Sequence, residues 1–184
     1  MILEGININE QLSELRKIFD INFFSYAEIA SRCFKILEKN FGRITVISSM
    51  SGKYPFPLMI SYGATKFALQ GFFGGLQQEL YMKRSTVTVT LGIFGRIDTE
   101  IQRQNVDSAG FIRHESALMR PAVPKEAARA VFEGALRRER EVYYPPSVRP
   151  MAWWNLPGIA GLLHRFIAYK MERHPIEKTE NERL

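Results

Sequence analysis

The sequence predicts an α/β fold, an open parallel sheet with helices on its faces. Three observations carry this. Two short runs rich in β-branched residues, Ile44–Ser48 and Thr86–Ile93, have the pattern of buried strands, and Glu141–Tyr144 reads as a third. Long stretches between them repeat apolar residues at helical spacing. Glycine and proline mark the joins. Strands that alternate with helices in this way form parallel sheets with crossover connections.

Composition bounds the class. The 184 residues are 46% apolar and 24% charged, a globular profile with enough chain for one core. The net charge is +6, but basic residues are scattered among acids. Nucleic acid is therefore not expected as a partner; a cofactor phosphate or lipid headgroups fit better. The lone Cys33 excludes an internal disulfide and a cysteine zinc cluster. His114, His164 and His174 show no metal-ligand spacing, so no metal is expected. The opening residues lack the pattern of a signal peptide.

In chain order, residues 1–8 read as loop and a long helix is expected from about Glu10 to Asn40. Its apolar stripe is Leu15, Phe19, Tyr26, Ile29, Cys33 and Ile36. Asn22 falls on that stripe, where an amide needs its hydrogen bonds met; the plain reading is a satisfied core asparagine. Gly42 is the expected C-terminal cap. The strand Ile44–Ser48 is expected to be buried on both faces, with Ser49 at its carboxyl end, where such sheets bind ligands. Lys53–Ile60 is a proline-stiffened apolar loop. It either packs on its own domain or lines the substrate side of a site, with Tyr54 and Phe56 as the lining.

The next helix carries Tyr62 and Lys66, four residues apart and so on one face. A free phenol titrates near 10. A neighbouring ammonium lowers that value and makes Tyr62 a usable general acid or base. Ser49, just upstream, can hold the same substrate oxygen. Spacing alone also fits an ordinary amphipathic helix. This helix is expected to reach about Met82, with Gly71, Gly74 and Gly75 giving a tightly packed face.

Ser48-Ser49-x-x-Gly52, as spaced here, followed by Tyr62-x-x-x-Lys66-Phe67-Ala68-Leu69 closely resembles the short-chain dehydrogenase/reductase family. The resemblance implies an oxidoreductase that moves a hydride between NADP(H) and a hydrophobic ketone or secondary alcohol. It implies Ser49 as oxyanion partner, Tyr62 as proton donor, and Lys66 as the residue that tunes Tyr62 and holds the nicotinamide ribose. Asp20-Ile21-Asn22-Phe23 resembles the family segment whose asparagine holds a water linked to the lysine, which makes Asn22 a fourth catalytic residue. Phe94-Gly95-Arg96-Ile97-Asp98-Thr99 resembles the turn that cradles the nicotinamide. There Gly95 and Thr99 match, the Ile97 amide is the implied contact, and Phe94 replaces the usual proline. Arg96 reads as a solvated cation on the rim.

Over roughly residues 15–144 the narrower likeness is to the 11-beta-hydroxysteroid dehydrogenase type, which makes a steroid one candidate substrate. Steroid-processing members often carry tyrosine where Phe56 stands. The family also implies a homodimer through the Asn22 and Tyr62 helices, and this narrower type an endoplasmic reticulum or other intracellular membrane surface.

Residues 102–119 occupy the place of the family's substrate-covering segment. Pro124 opens a further helix to about Arg138. Residues 1–144 form the reductase part. Residues 145–184 are an aromatic and basic extension with a charged tail. Trp153 and Trp154 fit either a helix dipping into a membrane surface or one covering the domain or a dimer partner. The family's glycine-rich cofactor loop and its Asn-Asn-Ala-Gly segment are not found. The fold class is thus an incomplete doubly wound Rossmann-type parallel sheet with three strands and flanking helices, read as the C-terminal portion of a reductase. The alternative function is a catalytically inactive chain that pairs with a full-length reductase.

Overall fold

The computed structural model describes residues 8–56, 59–100, 121–150 and 152. One parallel sheet runs in the order β1 (Arg43–Ser49), β2 (Thr88–Phe94), β3 (Glu141–Tyr144). Val46 lies opposite Leu91 and Leu91 opposite Glu141, so Ser49, Phe94 and Tyr144 finish level with one another. The predicted α/β class and three-strand parallel sheet are therefore present. The five inner residues of β2 are all buried, as a central strand requires.

β1 departs from its expected burial. Ile44, Val46 and Ser48 are buried, but Arg43, Thr45 and Ile47 are exposed. β1 stands at the edge of the sheet, and among the described residues nothing pairs its outer side. One face packs under the helix α3 (Ile60–Met82); the other is only partly reached by α4 (Pro124–Leu136). The core lies between α3 and the sheet, where Leu69, Phe73 and Ile93 are fully buried. Each such side chain contributes about 1.5–3 kcal/mol. Across the sheet, α4 buries Ala127, Val131 and Ala135.

The long first helix exists, with an irregularity. α1 (Ile8–Phe19) runs into a π turn, Asp20–Phe24, and continues as α2 (Ser25–Lys39). The residues that pack toward the core are Phe23, Tyr26, Ala30, Phe34 and Leu37. Ile29 and Ile36, on the expected stripe, are 63% and 66% exposed, and Cys33 is exposed too. Beyond Tyr26 the packed residues Ala30, Phe34 and Leu37 each lie one position after the expected Ile29, Cys33 and Ile36. The π turn before them fits an extra residue into the helix, which moves the buried face by that one position. The cap after α2 also differs from expectation. Phe41, not Gly42, takes the left-handed conformation, and the Gly42 amide donates to the Leu37 carbonyl over 2.8 Å.

The three glycines of α3 are the clearest correction. A Cβ added at Gly71, Gly74 or Gly75 meets nothing within 4 Å among the described residues. Among those residues they do not form a tightly packed face. Beside them Phe72 is 46% exposed, and Phe24 and Ile29 leave further apolar surface open on the helix before it. Gly71→Ala and Gly75→Ala are each expected to stabilise the isolated chain by up to about 1 kcal/mol through helix propensity. Urea unfolding checks this; a loss of stability would mean that another chain already covers the face.

Candidate active site

Ser49 ends β1, and Tyr62 and Lys66 stand in the opening turns of α3. The 3-10 turn Met50–Gly52 joins strand to loop and lies directly under the helix. A Cβ on Gly52 would fall 2.5 Å from the Lys66 carbonyl oxygen and 2.5 Å from the Gln70 amide nitrogen. Only glycine permits that approach, which brings the helix down onto the end of the strand.

The Ser49 hydroxyl caps the short turn. Its oxygen accepts the Ser51 amide over 3.1 Å, so its own proton is free to point elsewhere. It lies near enough to the Tyr62 phenol to favour the ionised form. Lys66 is 7% exposed, and one of its ammonium donors reaches the Ile47 carbonyl at 3.3 Å. The ammonium also stands 5.5 Å from the Tyr62 ring centre and 5.7 Å from that of Tyr26, within cation–π range.

The electrostatics differ from the sequence expectation. Burial pushes the Tyr62 phenol above 10; the Ser49 hydrogen bond pulls it back, and the nearby Tyr26 pushes it up again. Burial lowers Lys66 from 10.5. The expected depression of Tyr62 by Lys66 is therefore not what this geometry produces. Desolvation acts on both groups and favours their neutral forms, leaving Tyr62 a protonated donor at neutral pH.

Asn22 lies in the π turn and donates to Thr65 Oγ1 at 3.4 Å; that hydroxyl in turn donates to the Tyr62 carbonyl over 2.7 Å. Asn22 is thus fastened to the same turn of α3, beside Lys66. π turns recur at functional sites. The structure therefore brings together Asn22, Ser49, Tyr62 and Lys66.

Tyr54 is placed differently. It is only 2% exposed and packs edge-on against Phe56 at 5.0 Å. It is a core residue, not the lining of an open pocket. Phe56 is half-buried against the core.

In the turn after β2, the Gly95 amide donates to the Tyr144 carbonyl over 2.9 Å, and a Cβ there would meet Val148 at 2.8 Å. Glycine is required at this point by packing. Ile97 forms a parallel bridge to Ala122 through the Arg96 carbonyl and the Asp98 amide. In that pattern the amide of Ile97 itself faces the opposite side. The Thr99 amide closes on the Ile97 carbonyl at 2.9 Å. Arg96 is not a solvated rim charge. It is half-buried, and its Nε is buried with no hydrogen-bond partner among the described residues.

Sequence reasoning missed Tyr26, Gln70 and Glu141 as parts of the site. Tyr26 lies one turn beyond Asn22, and Gln70 one turn beyond Lys66. Those spacings were the available signal. Glu141 accepts from Lys53 and from the Tyr143 hydroxyl, both at 2.6 Å, and so ties the loop after Ser49 to β3. No spacing pointed to it, because its partners come from distant parts of the chain. The expected substrate-covering segment, 102–119, and the Trp153 and Trp154 region lie outside the described residues.

The sequence model for short chain dehydrogenase matches residues 5–109. The chain belongs to the short-chain dehydrogenase family. Its similarity to the hydroxysteroid 11-beta-dehydrogenase 1-like protein of Gallus gallus is 41% identity over 77% of this chain and 45% of that protein. The protein of the same name from Xenopus tropicalis is 36% identical over 78% of this chain and 48% of its own length. The chain thus spans about half the length of these relatives. A short chain dehydrogenase from Burkholderia cenocepacia, solved in complex with NADP, superposes with a TM-score of 0.68 at 24% identity. That match covers 89% of this chain and 62% of the other, and shows the shared fold.

Glu141 supplies a test of how the loop after Ser49 is held. Burial alone would raise its carboxyl, but hydrogen bonds from Lys53 and Tyr143 outweigh it and hold the group below 4.5. A depressed carboxyl stabilises the fold above its unfolded pKa and loses that contribution as pH falls through the folded value. Glu141→Gln should therefore lower the urea midpoint at about pH 7 and make little difference at about pH 3. An equal loss at both would sink the ionic role.

Proposed function

We propose that the chain carries the catalytic half of an NADP(H)-dependent oxidoreductase acting on a hydrophobic ketone or secondary alcohol. The observation that carries the reading is the meeting of Ser49, Tyr62 and Lys66 at the carboxyl end of β1. The residues present fit the nicotinamide end of a dinucleotide. The Ile97 amide faces away from its bridge partner, and the buried Lys66 has ammonium donors beyond the one given to Ile47. When bound, NADP(H) supplies or takes up the hydride. In reduction the Tyr62 hydroxyl gives its proton to the substrate oxygen. The Ser49 hydroxyl, its own acceptor side filled by Ser51, donates to that same oxygen. Lys66 stands beside the ring with ammonium donors to spare for the nicotinamide ribose, and Asn22 holds this turn of the helix through Thr65.

The names of the relatives make a steroid one candidate for the substrate. The exposed Ile29, Ile36 and Phe72 support a homodimer across α2 and α3. An endoplasmic reticulum or other intracellular membrane surface completes the proposal on family resemblance. No described helix is long and apolar enough to cross a membrane.

The open side of β1, with Ile47 exposed beside it, favours a second reading: a chain that acts by pairing with a complete reductase. Titration with NADPH, followed by fluorescence, separates the two. Saturable binding supports the enzyme reading for this chain; no binding moves the pairing reading ahead. In a protein that turns over, Tyr62→Phe should cut kcat by at least about a hundredfold while NADPH affinity stays near normal. Retained turnover would remove Tyr62 from its assigned role.

A further inference from the structure

Gln70 sits one turn beyond Lys66 on α3, half-buried, and the dehydrogenase chemistry described above does not use it. Its Nε2 donates to two acceptors at the end of β1, the Ser48 hydroxyl at 3.3 Å and the Ser49 carbonyl at 3.2 Å. The amide reaches them only because Gly52 has no side chain in its path. Its Oε1 is buried and has no partner among the described residues. An aliphatic side chain of similar size would take this donor from the buried Ser48 hydroxyl and from the Ser49 carbonyl. The amide thus leaves one of its own atoms unmet while it grips the end of β1.

We propose that Gln70 is a positioning residue for the Ser49–Tyr62 pair. Gln70 and Tyr62 are on the same helix, two turns apart. By holding the Ser49 carbonyl, Gln70 fixes the serine relative to the helix that carries the phenol. The Ser51 amide holds the Ser49 hydroxyl oxygen from the other side. Two anchors on one residue leave the hydroxyl proton a single direction, toward Tyr62 and the substrate oxygen. Only the catalytic consequence rests on the oxidoreductase reading; the placement itself does not.

The test therefore reads the phenol directly, in this chain, with 13C-labelled tyrosine. The Tyr62 signal is assigned by its disappearance in Tyr62→Phe. Ser49 donation lowers the Tyr62 titration, so a displaced serine must raise it. Gln70→Leu removes both contacts. Gln70→Glu keeps the shape and turns the donor into an acceptor facing the Ser49 carbonyl. In both, the Tyr62 titration should move to higher pH while the other tyrosine signals stay in place. In a Ser49→Ala background the neutral change Gln70→Leu should produce no further shift; Gln70→Glu there measures only the direct effect of its charge. An unmoved Tyr62 in the folded Gln70→Glu chain overturns the proposal. So does an upward shift in Gln70→Leu that persists without the serine, because a role in packing alone does not pass through the Ser49 hydroxyl. The measurement needs no turnover, so its outcome holds whatever becomes of the proposed reaction.

Discussion

Helix α3 can lie on the end of β1 because Gly52 leaves room for it, and the site depends on that approach. The Lys66 carbonyl and the Gln70 amide occupy the space a side chain would need. Once the helix is there, Lys66 cannot extend into water. Its ammonium turns inward to the Ile47 carbonyl and stands beside two tyrosine rings. The same approach brings Tyr62 to Ser49. A single missing methyl group thus sets the position of three functional side chains.

Close packing also decides the charge states. Helical spacing alone suggests that a lysine one turn from a tyrosine will draw out its proton. In the folded chain both groups are desolvated, and the environment opposes phenolate and ammonium alike. Burial is the larger effect on Tyr62, and only the Ser49 hydrogen bond works against it. Such an arrangement suits a phenol that must keep its proton until a substrate oxygen arrives. It also makes Ser49 the neighbour that works against burial and Tyr26 on the acid, so whatever fixes the serine matters.

Much of this was legible in the residues. The runs Ile44–Ser48 and Thr86–Ile93 are β-branched enough to name strands, and the level ends of those strands follow from parallel pairing. Ser49, Tyr62 and Lys66 were readable because the whole string from Ser48 to Leu69 resembles the family's motif, whereas their spacing alone also fits an ordinary amphipathic helix. Burial of individual faces was not. Ile47 belongs to an apolar run yet stands exposed, because coverage depends on what packs across the sheet. Ile29 and Ile36 misled for another reason, since the π turn moves the buried face of the following helix on by one residue. Tyr54 reads as a pocket residue from its place in the loop, but its side chain turns inward. Glu141 was out of reach altogether, since Lys53 and Tyr143 meet it only through the folded sheet.

The uncovered surfaces fall into two groups with different chemistry. On α3 the open face combines Phe72 with glycines that meet nothing, next to Phe24 and Ile29 from the preceding helix. Its backbone hydrogen bonds are satisfied within the helices, so only apolar burial is at stake, and a smooth helical partner suffices. On β1 the outer side presents backbone donors and acceptors with no strand beside them among the described residues, next to the exposed Ile47 and Thr45. Only another strand can satisfy that side, because a helix offers no free backbone groups at strand spacing. The two faces therefore cannot serve one partner in the same way. A helix pair that covered α2 and α3 would leave β1 as exposed as before, and an added strand would leave Phe72 in water. Association through α3 and completion of the sheet would therefore be separate events, and blocking one would leave the other open.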